Sequence, residues 1–311
     1  METILLQTAQ IVLLVLFAPI LTGVIKKTKA LLQGRKGPAI MQTYYDLRKF
    51  MRKDAVVSKE ASWIFTATPY VVFGATLAVT ALIPVVSDHA LLSFTGDFVL
   101  VVYLFALARF FLAMSGVDTG SSFGAMGSSR DMFISMLAEP VLFITVLVMA
   151  IPAQTLNLSA MVKYLATGGQ HITPAYFMMI LAFVMLLVTE TGRVPVDNPD
   201  THLELTMIHE GTLLEYSGKQ LALLVWGSSL KQIILFALFA DLCFPWGVAT
   251  EPGLGPWLLG LVLLLLKMVG VGILLASVEM SYAKMRLFKV PRYLAAAFLL
   301  SLFALVTEFL L

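Results

Sequence analysis

Eight long runs of apolar residues, separated by polar connections, dominate the sequence. Each run approaches or exceeds the roughly 20 residues that a helix needs to cross a bilayer. The runs are continuous and do not alternate with polar residues, which predicts helices rather than the strands of a membrane barrel. The predicted spans are 3–24, 63–86, 96–115, 132–153, 174–190, 221–244, 255–280 and 291–311. We therefore predict an all-α integral membrane protein, with about eight transmembrane helices in a single membrane domain over residues 1–311.

Composition and charge exclude several classes of protein and of ligand. Apolar residues make up 59% and charged residues 13% of the chain, against about 45–50% and about 25% in soluble domains. The net charge of +2 argues against a nucleic-acid partner. Cys243 is the one cysteine, so no intrachain disulfide can form. An iron–sulfur cluster or a structural zinc takes about four ligands, which a single cysteine cannot supply. We expect no metal and no cofactor in this chain. The apolar composition indicates that lipid surrounds the protein.

The basic residues predict the orientation. Of the 21 Lys and Arg residues, 17 lie in or beside the connections that follow the first, third, fifth and seventh spans. Basic residues favour the cytoplasmic side of a membrane. We therefore place the cytoplasmic connections at about 25–62, 116–131, 190–220 and 281–290, and both termini outside.

The first connection contains a short amphipathic pattern. Apolar residues recur at helical spacing on one face and polar residues form a second face. The apolar positions are Ile40, Tyr44, Leu47 and Met51, and the polar ones are Gln42, Asp46, Lys49 and Lys53. This pattern predicts an amphipathic helix near the membrane surface. It is either an anchor on lipid headgroups or a docking surface for a partner.

Two further connections carry distinctive composition. Residues 115–130 are rich in Gly and Ser and lack the ending of a phosphate-binding loop, so we expect a packed loop with close helix approach. Residues 190–220 are acidic but include many apolar positions, and Pro195 and Pro199 interrupt any continuous helix. A helix could begin there with Asn198 as its N-cap, or with a capping box from Thr201 to Glu204.

Charged residues inside the predicted spans carry the strongest functional signal, because each costs at least about 2.5–3.5 kcal/mol at the bilayer centre. They are Arg109, Glu139, Glu190, Lys231, Asp241, Lys267 and Glu279. Such groups either pair between helices for assembly or line a hydrated route that relays protons.

Several motifs resemble one family of membrane subunits. They are Arg35-Lys36-Gly37-Pro38 followed by Gln42, Asp46 and Lys49; Tyr103-x5-Arg109; Glu139-Pro140; and Glu190-Thr-Gly-Arg-Val-Pro-Val-Asp197 followed by Glu204 and Leu214-Glu-Tyr-Ser-Gly218. On these motifs the chain resembles subunit 1 (NuoH-type) of respiratory complex I. It resembles still more closely the corresponding subunit of energy-converting and formate-hydrogenlyase-type nickel–iron (NiFe) hydrogenases, the HyfC/HycD/EchB group. The resemblance covers nearly the whole chain, and its last motif is the most specific.

The resemblance implies a non-catalytic subunit of an oxidoreductase complex in a prokaryotic cytoplasmic (inner) membrane. Its expected partners are a NiFe-hydrogenase-like large subunit, an iron–sulfur small subunit and antiporter-like membrane subunits. The NiFe centre and the iron–sulfur clusters would lie in those partners. Electron transfer there would act on a line of carboxylates in this chain and so drive proton or sodium movement.

The candidate residues fall into two groups. For proton relay and coupling, the motifs indicate Glu139, Glu190, Asp197, Glu204 and Glu215, and physical grounds add Asp200, Glu210, Lys231, Lys267 and Glu279. For partner docking, the candidates are Arg35, Lys36, Gly37, Pro38, Gln42, Asp46, Lys49, Arg109, Arg130 and Arg193.

Three alternatives stay open. A true complex I subunit would form part of a quinone tunnel, although the stretch His202 to Glu210 differs from the complex I pattern and resembles the hydrogenase-linked branch. A purely structural anchor would use its charges for assembly only. A stand-alone transporter would be expected to show an internal repeat, which we do not find.

Overall fold

All eight predicted spans form helices. The computed structural model describes residues 2–169, 172–197, 208–250 and 253–310. Within them lie ten α-helices: α1 Glu2–Leu32, α2 Gln42–Met51, α3 Trp63–Leu82, α4 Phe98–Asp118, α5 Ser122–Ala153, α6 Leu158–Tyr164, α7 Pro174–Glu190, α8 Gly218–Cys243, α9 Leu254–Ser281 and α10 Val290–Leu310. The described residues contain two isolated β-bridges, which join Ser87 to Ala249 and Asp97 to Asn157, and no β-strand. The predicted all-α membrane fold is confirmed.

Seven of these helices are long and apolar enough to cross a membrane, and α7 is the shorter eighth. With 17 residues and about 1.5 Å of rise per residue, α7 reaches about 25 Å, close to the thickness of the hydrocarbon layer. Thr173 caps its start by accepting a hydrogen bond from the Tyr176 amide at 3.3 Å. Pro174 occupies the first helical position. An N–H at this position would have no acceptor within the helix, so proline loses no hydrogen bond there.

The helix α8 forms the centre of the bundle. From Leu230 to Cys243 nearly every side chain is buried, on all sides of the helix. A helix that is apolar all round belongs in the interior of a bundle. It packs against α1 and α3, while α5 packs against α4, α7 and α10. This packing brings Glu139 of α5, Glu190 of α7 and Lys231 of α8 to the contacts between the helices.

The Gly/Ser connection is shorter than we predicted. The sequence placed a loop at about 116–131, but α4 continues to Asp118 and α5 begins at Ser122. Small residues allow the two helices to approach closely: a Cβ on Gly124 would lie 2.6 Å from the carbonyl oxygen of Gly116. The correction puts residues 122–131 on a helix, where their side chains have fixed directions.

The predicted amphipathic helix α2 is present, but Ile40 of the predicted apolar face lies before its start and is exposed. Thr43 and Leu47 form its buried face, and Gln42 donates to Asp46 at 2.9 Å on its polar side. It packs against α1 and α8, and its Tyr44 hydroxyl donates to the Leu16 carbonyl. The helix thus lies beside the bundle rather than apart from it.

The acidic connection begins with a tight turn. Gly192 has φ of +59°, and the amides of Gly192 and Arg193 donate back to Thr189 and Val188 at 3.0 and 3.1 Å. These bonds form a Schellman motif, which ends a helix with glycine in the left-handed region. The helix starts that we predicted at Asn198 and Thr201 lie outside the described residues, as do Asp200 and Glu204.

Candidate functional site: a buried charge cluster

Arg109 joins three helices. It lies on α4 and is 8% exposed. Its Nη1 donates to Glu139 Oε1 on α5 at 3.0 Å, and its Nη2 donates to Glu190 Oε2 on α7 at 2.5 Å. The planar guanidinium is suited to bridging two carboxylates in this way.

Glu190 receives a second cation from α8. The Nζ of Lys231 lies 2.7 Å from the Glu190 oxygen that Arg109 also contacts. The Glu190 side chain is only 4% exposed, and a carboxylate buried to that degree is costly unless charges and hydrogen bonds match it. Arg109 and Lys231 supply that match from two different helices.

His209 and Asp131 extend the network. His209 Nδ1 lies 2.6 Å from Asp131 Oδ1 on α5, and its Nε2 lies 3.4 Å from the Thr189 carbonyl oxygen. Burial disfavours the charged imidazolium, but the charge and hydrogen bond of Asp131 outweigh burial and raise the pKa of His209 above its ordinary value. His209 therefore holds a proton more firmly than a free imidazole does.

We call Arg109, Asp131, Glu139, Glu190, His209 and Lys231 the buried charge cluster. It contains three carboxylates, two cations and one imidazole. A proton on His209 balances the charges, and its loss leaves one negative charge in excess. The cluster can therefore change its net charge by exchanging one proton, while Glu139, with a 32% exposed side chain, gives it contact with the surroundings.

A second charged group lies near the first. Glu279 on α9 contacts Lys29 Nζ at 2.5 Å and Arg193 Nη1 at 3.2 Å. Asp197 lies 3.3 Å from Lys284 Nζ and accepts the Ile208 amide at 3.2 Å. The turn after α7 lies between the two charged groups. Glu190, before the turn, belongs to the buried charge cluster, and Arg193, after it, pairs with Glu279.

Lys267 lies at the other end of the bundle. Its Nζ donates to the Phe244 carbonyl at 2.5 Å. The carboxylate of Asp241 on α8 is buried and has no hydrogen-bond partner among the described residues. Lys231 and Asp241 are ten residues apart, or about 15 Å along α8, so Lys267 does not adjoin the cluster.

The remaining relay candidates are spread out. Glu215 is exposed, and Glu210 is half-buried in the short 3-10 turn Glu210–Leu213. The structure thus distributes the predicted line of acids over separate surroundings. Basic side chains from other helices accompany the acids of the cluster, which the order of acids along the sequence does not reveal.

The docking candidates divide in the same way. Exposed positions are Arg35, Lys36, Gly37, Pro38, Gln42 and Lys49, and Asp46 is half-buried. Arg130 is half-buried, with its Nη2 3.0 Å from the Met126 sulfur. Arg109 and Arg193 are buried and paired with carboxylates, which differs from the surface position expected of docking residues. We therefore assign them to the charged groups.

The motif from Leu214 to Gly218 has a structural explanation. The Tyr216 ring stacks on Phe65 with centroids 4.0 Å apart, and burial raises the pKa of Tyr216 to about 12. Ser217 Oγ accepts the Val56 amide at 2.8 Å. This motif therefore ties the start of α8 to α3 and to the first connection.

The sequence reasoning did not select Asp131 or His209 as site residues. Asp131 fell in the connection that we expected to be a loop, so it did not count as an acid within a span. A usable signal existed, since Asp131 and Glu139 are eight residues apart and a continuous helix brings such positions to similar faces. Among the described residues, no three His, Cys, Asp or Glu side chains are grouped to hold a metal ion.

The geometry defines a class: a helical membrane protein with a network of ionisable groups buried between its spans. The chain matches the family described as NADH dehydrogenase over residues 5–309, and it belongs to that family. Among its relatives, formate hydrogenlyase subunit 4 of Escherichia coli (strain K12) is 36% identical over 298 residues, which cover 94% of this chain and 95% of that protein.

Two more comparisons agree. Hydrogenase-4 component C of Escherichia coli (strain K12) is 34% identical over 279 residues, which cover 89% of this chain and 87% of that protein. A chain of a membrane-bound sulfane sulfur reductase, an archaeal respiratory membrane complex, superposes with a TM-score of 0.85 at 18% identity. That match covers 99% of this chain and 100% of the other. The chain is thus a multi-pass membrane protein whose relatives are subunits of membrane complexes.

Proposed function

We propose that the chain is the membrane-anchoring and coupling subunit of a NiFe-hydrogenase-type complex in a prokaryotic cytoplasmic membrane. It would hold the cytoplasmic redox module and link electron transfer there to proton or sodium movement through antiporter-like subunits. The names of its two hydrogenase-linked relatives, formate hydrogenlyase subunit 4 and hydrogenase-4 component C, support this placement. The NiFe centre and the iron–sulfur clusters would belong to the partner subunits.

The buried charge cluster is the observation that carries the coupling role. Arg109 contacts Glu139 and Glu190 together, so any change that draws it toward one carboxylate weakens its bond to the other. Opposite charges within about 4–6 Å move a carboxylate's proton affinity by about 1–3 pKa units. A charge change in a neighbouring redox module could therefore shift a proton within the cluster.

His209 connects the cluster to the acidic connection. It begins the segment that enters the 3-10 turn Glu210–Leu213, and its ring contacts Asp131 on α5. A displacement of this segment would separate His209 from Asp131 and so release the proton that their contact favours. In this proposal, the connection 190–220 transmits the state of the redox module to the cluster through His209.

A second candidate is a purely structural anchor. It is favoured by the fact that Glu139 and Glu190 are already paired with cations. In that case the cluster would hold α4, α5, α7 and α8 together without exchanging protons. The two candidates differ in what neutralising one acid would remove: coupling or assembly.

The test replaces Glu139 by Gln, because Glu139 has the most exposed carboxylate of the cluster. Inverted membrane vesicles would report hydrogen turnover with a gas electrode and proton uptake with a pH-sensitive dye. We expect proton uptake to fall at unchanged hydrogen turnover, because the substitution removes the cluster's exposed ionisable carboxyl group. Glu60→Gln is the matched control, because Glu60 is exposed in the first connection.

Each outcome decides between the candidates. Full proton uptake by an assembled Glu139→Gln complex would overturn the coupling role. Loss of the complex in Glu139→Gln, with Glu60→Gln intact, would support the structural anchor. Co-purifying subunits that oxidise NADH, together with a bound quinone analogue near α2, would favour the complex I alternative. A large subunit with four nickel-ligating cysteines would favour the hydrogenase.

A further inference from the structure

A cavity of about 690 Å³ opens where α1 and α9 end. Its walls are the end of α1 with the turn that follows, the segment after α7, and the residues after α9. Among its described lining residues, five are basic and one is acidic: Lys26, Lys29, Arg35, Arg193, Lys284 and Glu279. We propose that this basic cavity binds a phosphate-bearing anion, and that its position favours the headgroup of an anionic phospholipid.

The walls of the basic cavity are fixed by backbone contacts. The Arg35 amide donates to the Ala30 carbonyl at 2.8 Å, so the turn after α1 folds back on that helix. Gly37 lies against Ala30 with no room for a side chain. On the other side, the Met285 amide donates to the Pro195 carbonyl at 2.8 Å. A site whose shape is already set loses little conformational entropy when it binds a ligand.

Arg193 contributes a guanidinium group to the wall of the cavity. It is 8% exposed, and its Nη1 donates to Glu279 Oε2 at 3.2 Å. Its Nε is buried and has no hydrogen-bond partner among the described residues. A buried donor without an acceptor is costly. Phosphate and carboxylate oxygens are the acceptors that match the fork of a guanidinium.

The rim of the cavity adds positive charge. Lys26 and Arg35 line the cavity and are exposed, and neither has an ion-pair partner within the part of the chain that the structure describes. Glu279 is engaged by Lys29 and Arg193. The rim therefore attracts an anion, while the carboxylate in the wall stays occupied.

The location favours lipid as the source of the phosphate. The cavity lies at the ends of two predicted spans, on the side where basic residues concentrate. Leu31 and Leu32, between the lining residues Ala30 and Gln33, are exposed apolar side chains against which acyl chains could lie, and α9 exposes Ile273 and Leu274 one to two turns before the lining residue Glu279. Basic pockets between membrane helices are suited to anionic headgroups.

The test titrates the full chain, with the subunits that co-purify, after removal of bound lipid. Native mass spectrometry would measure the binding of short-chain phosphatidylglycerol, of phosphatidylcholine and of inorganic phosphate. The variant is Lys26→Gln with Arg35→Gln, and the control is Arg52→Gln with Lys53→Gln, two exposed bases that do not line the cavity. We expect about thirtyfold weaker phosphatidylglycerol binding in the variant and none of this loss in the control.

The three ligands and the two variants distinguish a lipid ligand, a soluble ligand and the absence of a specific site. Binding of phosphatidylglycerol that weakens with salt, and that phosphatidylcholine does not match, supports the lipid source. Binding of inorganic phosphate with no retention of phosphatidylglycerol supports the same site with a soluble ligand. Equal binding of both lipids by the wild-type chain overturns the proposal, as does equal loss in variant and control. The salt dependence keeps the test decisive if the variant does not fold.

Discussion

The buried charge cluster and the basic cavity contain residues that are only three positions apart in sequence. The two regions differ in their enclosure and in their balance of acidic and basic groups. Glu190 closes α7 and points into the cluster, and Arg193 lines the cavity. The cluster lies between helices and has three acids and two bases when His209 is neutral. The cavity is open and has more bases than acids among its described residues.

The balance of charge determines what each region exchanges. A network with an excess carboxylate gains stability from a proton, because the proton removes an uncompensated negative charge from a poorly solvated place. A site with excess basic groups gains stability from an anion. The Schellman turn at Gly192 separates these two environments within a few residues.

The largest expected effect comes from Arg109→Gln. The change leaves Glu139 without its cation and Glu190 with Lys231 alone, so we expect a loss of about 3 kcal/mol in the free energy of unfolding. Thermal unfolding in detergent, followed by circular dichroism, measures it. Lys163→Gln is the control, since Lys163 is 56% exposed and 3.7 Å from Asp88. Equal stability of the two variants would show that the cluster does not hold the bundle together.

Glu279→Gln examines the basic cavity. It removes the charge that Lys29 and Arg193 share and leaves two cations, with side chains 14% and 9% exposed, without that partner. We expect a loss of about 2 kcal/mol in stability, because charged hydrogen bonds are lost in a buried place. Phosphatidylglycerol binding should tighten severalfold at the same time. A weaker binding of the lipid would contradict the charge balance that we assign to the cavity.

Gly192→Ala tests the turn between the two regions. The left-handed conformation costs a residue with a Cβ about 1–2 kcal/mol, and the new Cβ would lie 2.5 Å from Cδ2 of His209. Gly34→Ala is a matched control, since Gly34 has φ of +71° but nothing within 4 Å of its added Cβ. Unfolding measurements should therefore show a larger loss for Gly192→Ala. Equal losses would mean that backbone strain alone acts at Gly192.

The spans were predictable from sequence because their signal is local. An apolar run of sufficient length forms a helix in lipid whatever its neighbours are, and α3, α7 and α9 begin within a few residues of the predicted positions. Helix ends were less predictable. The basic end of α1 continues in helix to Leu32, since Lys residues are good helix formers outside the membrane.

The partners within the site were not predictable in the same way. Glu139, Glu190 and Lys231 could be selected one by one as charges inside spans. Their pairing depends on how α4, α5, α7 and α8 pack, which a single sequence does not encode at any fixed spacing. Asp131 was lost with the misplaced start of α5. Sequence patterns therefore predicted the ionisable groups better than the network that they form.

The smallest expected effect concerns His209 and follows from its raised pKa. A group whose pKa is higher in the folded chain stabilises it fully below the unfolded value of about 6.5, and this contribution disappears as pH rises through the folded value. The stability difference between the wild-type chain and His209→Gln should therefore be about 1 kcal/mol near pH 6 and shrink as the pH rises through the folded pKa of His209. His89→Gln, at a histidine with a 62% exposed side chain, should show no such difference. A difference for His209→Gln that does not change with pH would mean that His209 packs against Asp131 without exchanging a proton, and the cluster would then keep one net charge at all physiological pH values.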